Sequence, residues 1–147
     1  MISLKHIFPA FFISLFILAS NSSQGQQVNN WTKDQLMAPS LLAKNLKENK
    51  KLPLILSVGP MALIPHSIDL GAASEPESLA KLKNTLSKLP ANTGIVIYCG
   101  CCPFEKCPNI RPAVDLLKKM NFTNFHLLNL STSIKADWID KGYPTVD

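Results

Sequence analysis

Ile95-Val96-Ile97-Tyr98-Cys99-Gly100-Cys101-Cys102-Pro103-Phe104-Glu105-Lys106-Cys107-Pro108-Asn109-Ile110-Arg111-Pro112-Ala113 passes from an apolar run, through a cysteine-rich loop, into the start of an amphipathic run. All four cysteines of the chain lie in it, at positions 99, 101, 102 and 107. A strand, a loop rich in sulfur and an arginine at a helix start together make and hold a thiolate. The thiolate, not the thiol, is the nucleophile and the metal ligand. An unperturbed thiol is only about 3% ionised at pH 7. A helix N-terminus contributes about 0.3–1 kcal/mol, less than one pKa unit. Arg111 at contact distance could add up to about 4 kcal/mol at an effective dielectric of about 20. The helix dipole alone is therefore insufficient, and either Arg111 or converging backbone amides must act on the Cys99 sulfur.

Outward from this loop, short apolar runs alternate with helical patterns. Strands are expected over 54–58, 95–98 and 125–128, with a second extended segment over 62–68. Gly59-Pro60 breaks the first. Helices are expected over 41–49 with Ser40 as cap, and from Ser74-Glu75-Pro76-Glu77 to Leu89-Pro90 with Ser74 capping and Glu77 at the capping-box position. Two more are expected, from Pro112 to about residue 120 and in a short piece opened by Ser131-Thr132-Ser133 that contains Trp138. Thr32 and Gln35 have capping-box spacing for another short helix before Pro39. Pro112 suits the first helical position, and Arg111 before it is expected outside the helix. The strand runs are almost continuously apolar, as in a parallel sheet buried on both faces. The expected layout is an α/β fold, with a central, mostly parallel sheet of about five short strands flanked by helices. In open parallel sheets, sites lie at the carboxyl ends of the strands, which is where Cys99 stands.

Residues 1–25 read as an export signal. Lys5 precedes an almost wholly apolar run over 7–19, and small residues follow at Ser23 and Gly25. Residues 26–147 then form one domain, periplasmic or secreted, with no membrane contact once the signal is removed. The formal charge of +5 comes from lysines scattered among Asp and Glu, a solvated surface and not a nucleic-acid stripe. Export permits disulfides, but bridges within so short a stretch close tiny loops and add little stability. The cysteines are therefore expected to serve chemistry or to order the loop.

The order of these pieces resembles the rhodanese-like family across nearly the whole mature chain. Ile95 to Cys99, the loop, and Arg111-Pro112-Ala113 resemble its strand, nucleophilic cysteine, sulfur-wrapping loop and helix-opening arginine. Leu54 to Val58 resembles the strand that usually carries an Asp-x-Arg, here Ser57-Val58-Gly59. Ile64-Pro65-His66-Ser67-Ile68 resembles the His-Ile-Pro-Gly-Ala stretch. Leu128 through Trp138 to Gly142-Tyr143-Pro144 resembles the closing strand, helix and Gly-x-Pro. The family's usual loop is shorter than the one that separates Cys99 from Arg111. The resemblance implies a three-layer rhodanese-like fold. It also implies a sulfurtransferase or persulfide carrier, with Cys99 and Arg111 as catalytic residues and no cofactor. Small sulfur donors, thiol acceptors or a protein thiol partner would serve it, and a monomer is expected.

Cys101, Cys102 and Cys107 are candidate resolving or disulfide cysteines. Cys99-Gly100-Cys101-Cys102 is also a C-x-x-C, so Cys99 and Cys102 could form the dithiol of a thiol–disulfide oxidoreductase. A further alternative is a non-catalytic module that binds a thiol partner or a soft metal through Cys99, Cys101, Cys102 and Cys107. A structural disulfide from Cys101 or Cys102 to Cys107 is a third use. His66 reads as a turn histidine, His126 as a structural strand residue, and Glu105 and Lys106 as a solvated loop tip. Trp31 and Trp138 read as packing residues.

Overall fold

Ile95–Tyr98 is buried at every residue and occupies the middle of a five-stranded, all-parallel sheet. The computed structural model describes residues 31–146. The expected signal segment, 1–25, and the start of the domain lie outside the described residues. In chain order the strands are β1 (Leu36–Met37), β2 (Leu54–Ser57), β3 (Ser67–Asp69), β4 (Ile95–Tyr98) and β5 (Phe125–Leu128). They are arranged β1-β5-β4-β2-β3. Helices α1 (Pro39–Lys47), α2 (Pro76–Leu86), α3 (Ile110–Lys119) and α4 (Ile134–Asp137) cover both faces. Among the described residues no helix is long and apolar enough to cross a membrane.

Side chains alternate across a strand, and this period assigns each residue of β4 to a layer. Ile95 and Ile97 pack with Leu82 and Leu86 of α2 and with Ile110, Val114 and Leu117 of α3. Val96 and Tyr98 face the other way, toward Leu42 of α1, Ile134 of α4 and Trp138. Cys99, next in the alternation, falls on the α2–α3 side. On the opposite side Tyr98 is pinned by its hydroxyl, which accepts from the Ile64 N–H at 3.2 Å and lies 3.1 Å from Ser67 Oγ. The fully buried strand runs follow from two covered faces.

Three helix starts differ from the sequence expectation, and proline explains each. α1 begins at Pro39 with Ala38 as N-cap, not at Ser40. α2 begins at Pro76 with Glu75 as N-cap, so Ser74 lies outside it. In both, proline takes the first helical position, where its missing N–H leaves nothing unpaired. α3 begins at Ile110 and includes Arg111. Pro112 is then its third residue, still among the N–H groups that have no intrahelical acceptor. The residue its ring would crowd, Pro108, lies before the helix. Trp138 follows α4 as its C-cap instead of lying within it, and its indole N–H donates to the Pro144 carbonyl at 2.8 Å.

β1 is two residues long and pairs with Leu127 and Leu128 of β5, too short to show a period in the sequence. Only the end of the expected 62–68 segment joins the sheet, as β3. The chain before it turns at Ile64, whose carbonyl accepts from Ser67 Oγ at 2.6 Å, and passes through His66 at φ +63°.

Candidate functional site

Cys99 stands directly after β4, at the carboxyl end of the central strand, and is 4% exposed. Its sulfur accepts from the Asn109 side-chain amide at 3.2 Å. The same amide's oxygen accepts from the Ser74 N–H at 3.0 Å. Asn109 is itself buried, at the N-cap of α3. One side chain thereby ties the α2 entrance, the α3 entrance and the Cys99 sulfur together, and the Ser74 bond fixes which end of the amide faces the sulfur.

The loop from Gly100 to Asn109 closes over this point. Gly100 adopts φ +83°, a backbone conformation that costs glycine little. Its carbonyl accepts from the Ile134 N–H at 3.2 Å. Phe104 is buried, and its N–H donates to the Leu130 carbonyl at 3.2 Å. Glu105 and Lys106 are exposed in a single 3₁₀ turn, Phe104–Lys106, as expected of a loop tip. Gly59, just past β2, backs onto the cysteine. A β-carbon there would overlap the Cys99 carbonyl oxygen and come within 2.8 Å of its sulfur.

The four sulfurs gather unevenly. Cys101 Sγ lies 3.1 Å from Cys99 Sγ, 3.2 Å from Cys102 Sγ and 4.0 Å from Cys107 Sγ. The sulfurs of Cys99, Cys101 and Cys107 all lie within 4.8 Å of one another, a donor set that suits a soft ion such as Cu(I) or Zn. Cys102 falls outside that set. Cys99 meets Cys101, one residue short of the C-x-x-C partner, because the left-handed Gly100 turns the chain back at once.

Cys99 is held as a thiolate, its pKa pushed down to about 5 from an ordinary 9.0. The largest cause is the Cys107 thiol, whose sulfur lies within 4.8 Å of the Cys99 sulfur. Burial opposes ionisation, and bonds from the Asn109 amide, the Cys101 N–H and the Cys101 thiol add to the lowering. Hydrogen bonds to the charged form favour it. Cys101 is pushed up to about 12, first by burial and then by its bonds to Cys99 and Cys102. Cys107 is also raised, first by the Cys99 sulfur near it and then by burial. The anion thus sits on Cys99, with the Cys101 and Cys107 thiols protonated beside it.

This arrangement sets a pH dependence of stability. The depressed Cys99 pKa stabilises the fold fully above pH 9, and this contribution is lost as pH falls toward 5. The raised Cys101 pKa stabilises the fold below pH 9, and this contribution is lost as pH rises toward 12. Urea denaturation of the reduced protein is expected to show stability rising from pH 5 to pH 9. Cys99→Ser should flatten that rise; an equally steep rise in the variant would contradict the assignment.

Arg111 is exposed on the first turn of α3. The groups bonded to the Cys99 sulfur are the Asn109 side-chain amide and the Cys101 thiol. His66 is exposed and His126 is half-buried in β5. Asn109 and Gly59 are the site residues that sequence reasoning passed over.

The chain is similar to a solved structure, the solution NMR structure of a rhodanese-like domain from an Anabaena sp. protein. The two share 19% sequence identity over 76% of this chain and 78% of the other, with a TM-score of 0.54. No protein-family model matches the chain. No curated protein matches it either. The fold is the rhodanese-like α/β fold.

Proposed function

We propose that the chain is a sulfurtransferase-type protein that carries sulfane sulfur as a persulfide on Cys99. The observation that carries the reading is a buried sulfur, ionised well below neutral pH and surrounded by donors, at the carboxyl end of the central strand. A thiolate in that setting attacks the outer sulfur of a donor such as thiosulfate, forms the S–S bond of a persulfide and releases sulfite. The donors that hold the thiolate serve equally for the negative charge of the persulfide.

With thiosulfate as donor and cyanide as acceptor, the reduced protein is expected to form thiocyanate. Cys99→Ser should lower the rate at least about a thousandfold, as loss of a nucleophile does. Full activity in that variant would end the reading.

Arg111 is assigned the attraction of the anionic donor, from its exposed place two residues after Asn109. Arg111→Ala is expected to raise the KM for thiosulfate about fivefold, with kcat changed less, since a single exposed charge acts mainly on encounter. An unchanged KM and salt dependence would remove Arg111 from the site.

A further inference from the structure

Persulfide chemistry on Cys99 accounts for one thiol of four. An external acceptor would have to reach a sulfur that is 4% exposed. Cys101 already touches it, with 3.1 Å between the two sulfurs, and Cys101 is itself exposed. Cys107 is buried, and its sulfur lies 4.0 Å from that of Cys101. Gly100, at φ +83°, gives the intervening turn that brings positions 99 and 101 together.

Resting on the persulfide reading, we propose that Cys101 is a built-in acceptor that discharges the Cys99 persulfide as sulfide. The Cys101 sulfur attacks Cys99 Sγ, the bond from Cys99 to the outer sulfur breaks, and a Cys99–Cys101 disulfide forms. The outer sulfur leaves with the bonding pair as hydrosulfide and is reduced by one electron, Cys101 is oxidised by one, and Cys99 Sγ keeps its oxidation level. The Cys101 proton passes to the adjacent outer sulfur, so Cys101 attacks as the thiolate and the outer sulfur departs as hydrosulfide. The reaction is balanced as persulfide plus thiol giving disulfide plus hydrogen sulfide. Restoring the starting state takes two electrons from an external dithiol, and the exposed Cys101 sulfur is where that dithiol would attack. The activity is the reduction of sulfane sulfur to sulfide at the expense of a dithiol.

The test is a single turnover. The chain is reduced, freed of small thiols and given thiosulfate with no acceptor. Sulfite, sulfide and the mass of each cysteine peptide are then followed. The expected result is about one sulfite on loading, followed by about one sulfide per chain and a peptide bearing the Cys99–Cys101 disulfide. Cys101→Ser is expected to stop at Cys99 carrying an additional ~32 Da, with sulfide release down at least about tenfold. Added cyanide should then recover that sulfur as thiocyanate, which shows the variant is folded and loaded. Cys102→Ser should still release sulfide.

Sulfite without sulfide, with the extra sulfur still on Cys99 or moved to Cys101, overturns the internal discharge and leaves the persulfide reading standing. Loss of sulfide release in Cys102→Ser instead of Cys101→Ser also overturns it. Absence of sulfite and of any mass gain overturns both.

Discussion

Replacing Asn109 with aspartate is expected to raise the pH midpoint of Cys99 alkylation from about 5 by about 2 units or more. The substitution keeps the shape of the side chain and leaves an oxygen to accept from the Ser74 N–H at 3.0 Å. What changes is the atom facing Cys99. A donor 3.2 Å from the sulfur becomes a carboxylate oxygen, so a favourable bond to the thiolate is replaced by like-charge repulsion. Peptide-resolved iodoacetamide labelling across pH 4 to 9 reads the midpoint directly. Asn109→Leu separates the effects differently: it removes the donor without adding charge, and it strands a Ser74 N–H that has lost its partner. It should raise the midpoint less than aspartate does, and it should cost about 1–3 kcal/mol of stability for one buried and one part-buried bond. An unchanged midpoint in both variants would mean that Asn109 does not act on the thiolate.

Gly59→Ala is expected to be the most damaging alanine substitution among the described glycines. The new β-carbon would overlap a backbone atom, the Cys99 carbonyl oxygen, as well as crowd the sulfur. Neither β2 nor β4 can retreat, because Val58 and Tyr98 are hydrogen-bonded at 2.9 Å just before the contact. Relief must come from displacing the cysteine at the end of the central strand. The expected cost is about 3 kcal/mol, at the upper end for overpacking, which corresponds to a Tm lowered by about 10 °C or more for a domain of this size. Sulfur-transfer activity should fall by more than the loss of folded protein explains. Gly94→Ala is the control. Its β-carbon would meet nothing nearer than the Asn124 amide nitrogen at 3.4 Å and Pro53 Cβ at 3.9 Å, and it should change stability by less than about 1 kcal/mol. Equal thermal shifts in the two variants would contradict the close approach of Gly59 to Cys99.

The contrast between those two glycines shows what the chain reveals before it is folded. Local features were legible. The apolar run Ile95–Tyr98 marked a strand buried on both faces, its end marked Cys99, and Ser74-Glu75-Pro76-Glu77 marked the start of α2. Proline and serine in the right places were enough to find each helix, though not its first residue. Where two caps compete, as Ser74 and Glu75 do before Pro76, a contact from elsewhere decides. Here the Ser74 N–H is taken by Asn109, 35 positions along the chain.

The residues around Cys99 that were missed are nonlocal in the same way. Asn109 stands between Pro108 and Ile110 and reads as an ordinary turn residue. Its role exists only because β4, α2 and α3 converge on it. Gly59 reads as a strand breaker, and its real constraint is a cysteine 40 positions later. The C-x-x-C spacing drew attention to Cys102, whereas the left-handed turn at Gly100 brings Cys101 to the sulfur. The bonds to the Cys99 sulfur from Asn109 and Cys101 depend on how the loop folds back, which spacing alone does not display.

The measurement that bears most directly on this account is the location of the sulfane sulfur. Cys101→Ser protein, reduced and exposed to thiosulfate at pH 7, is digested without reductant, and the mass at each cysteine is located by peptide fragmentation. The expected gain is about 32 Da on Cys99 and on no other cysteine. A gain confined to Cys102 or Cys107, or no gain at all while the protein remains folded, would contradict it.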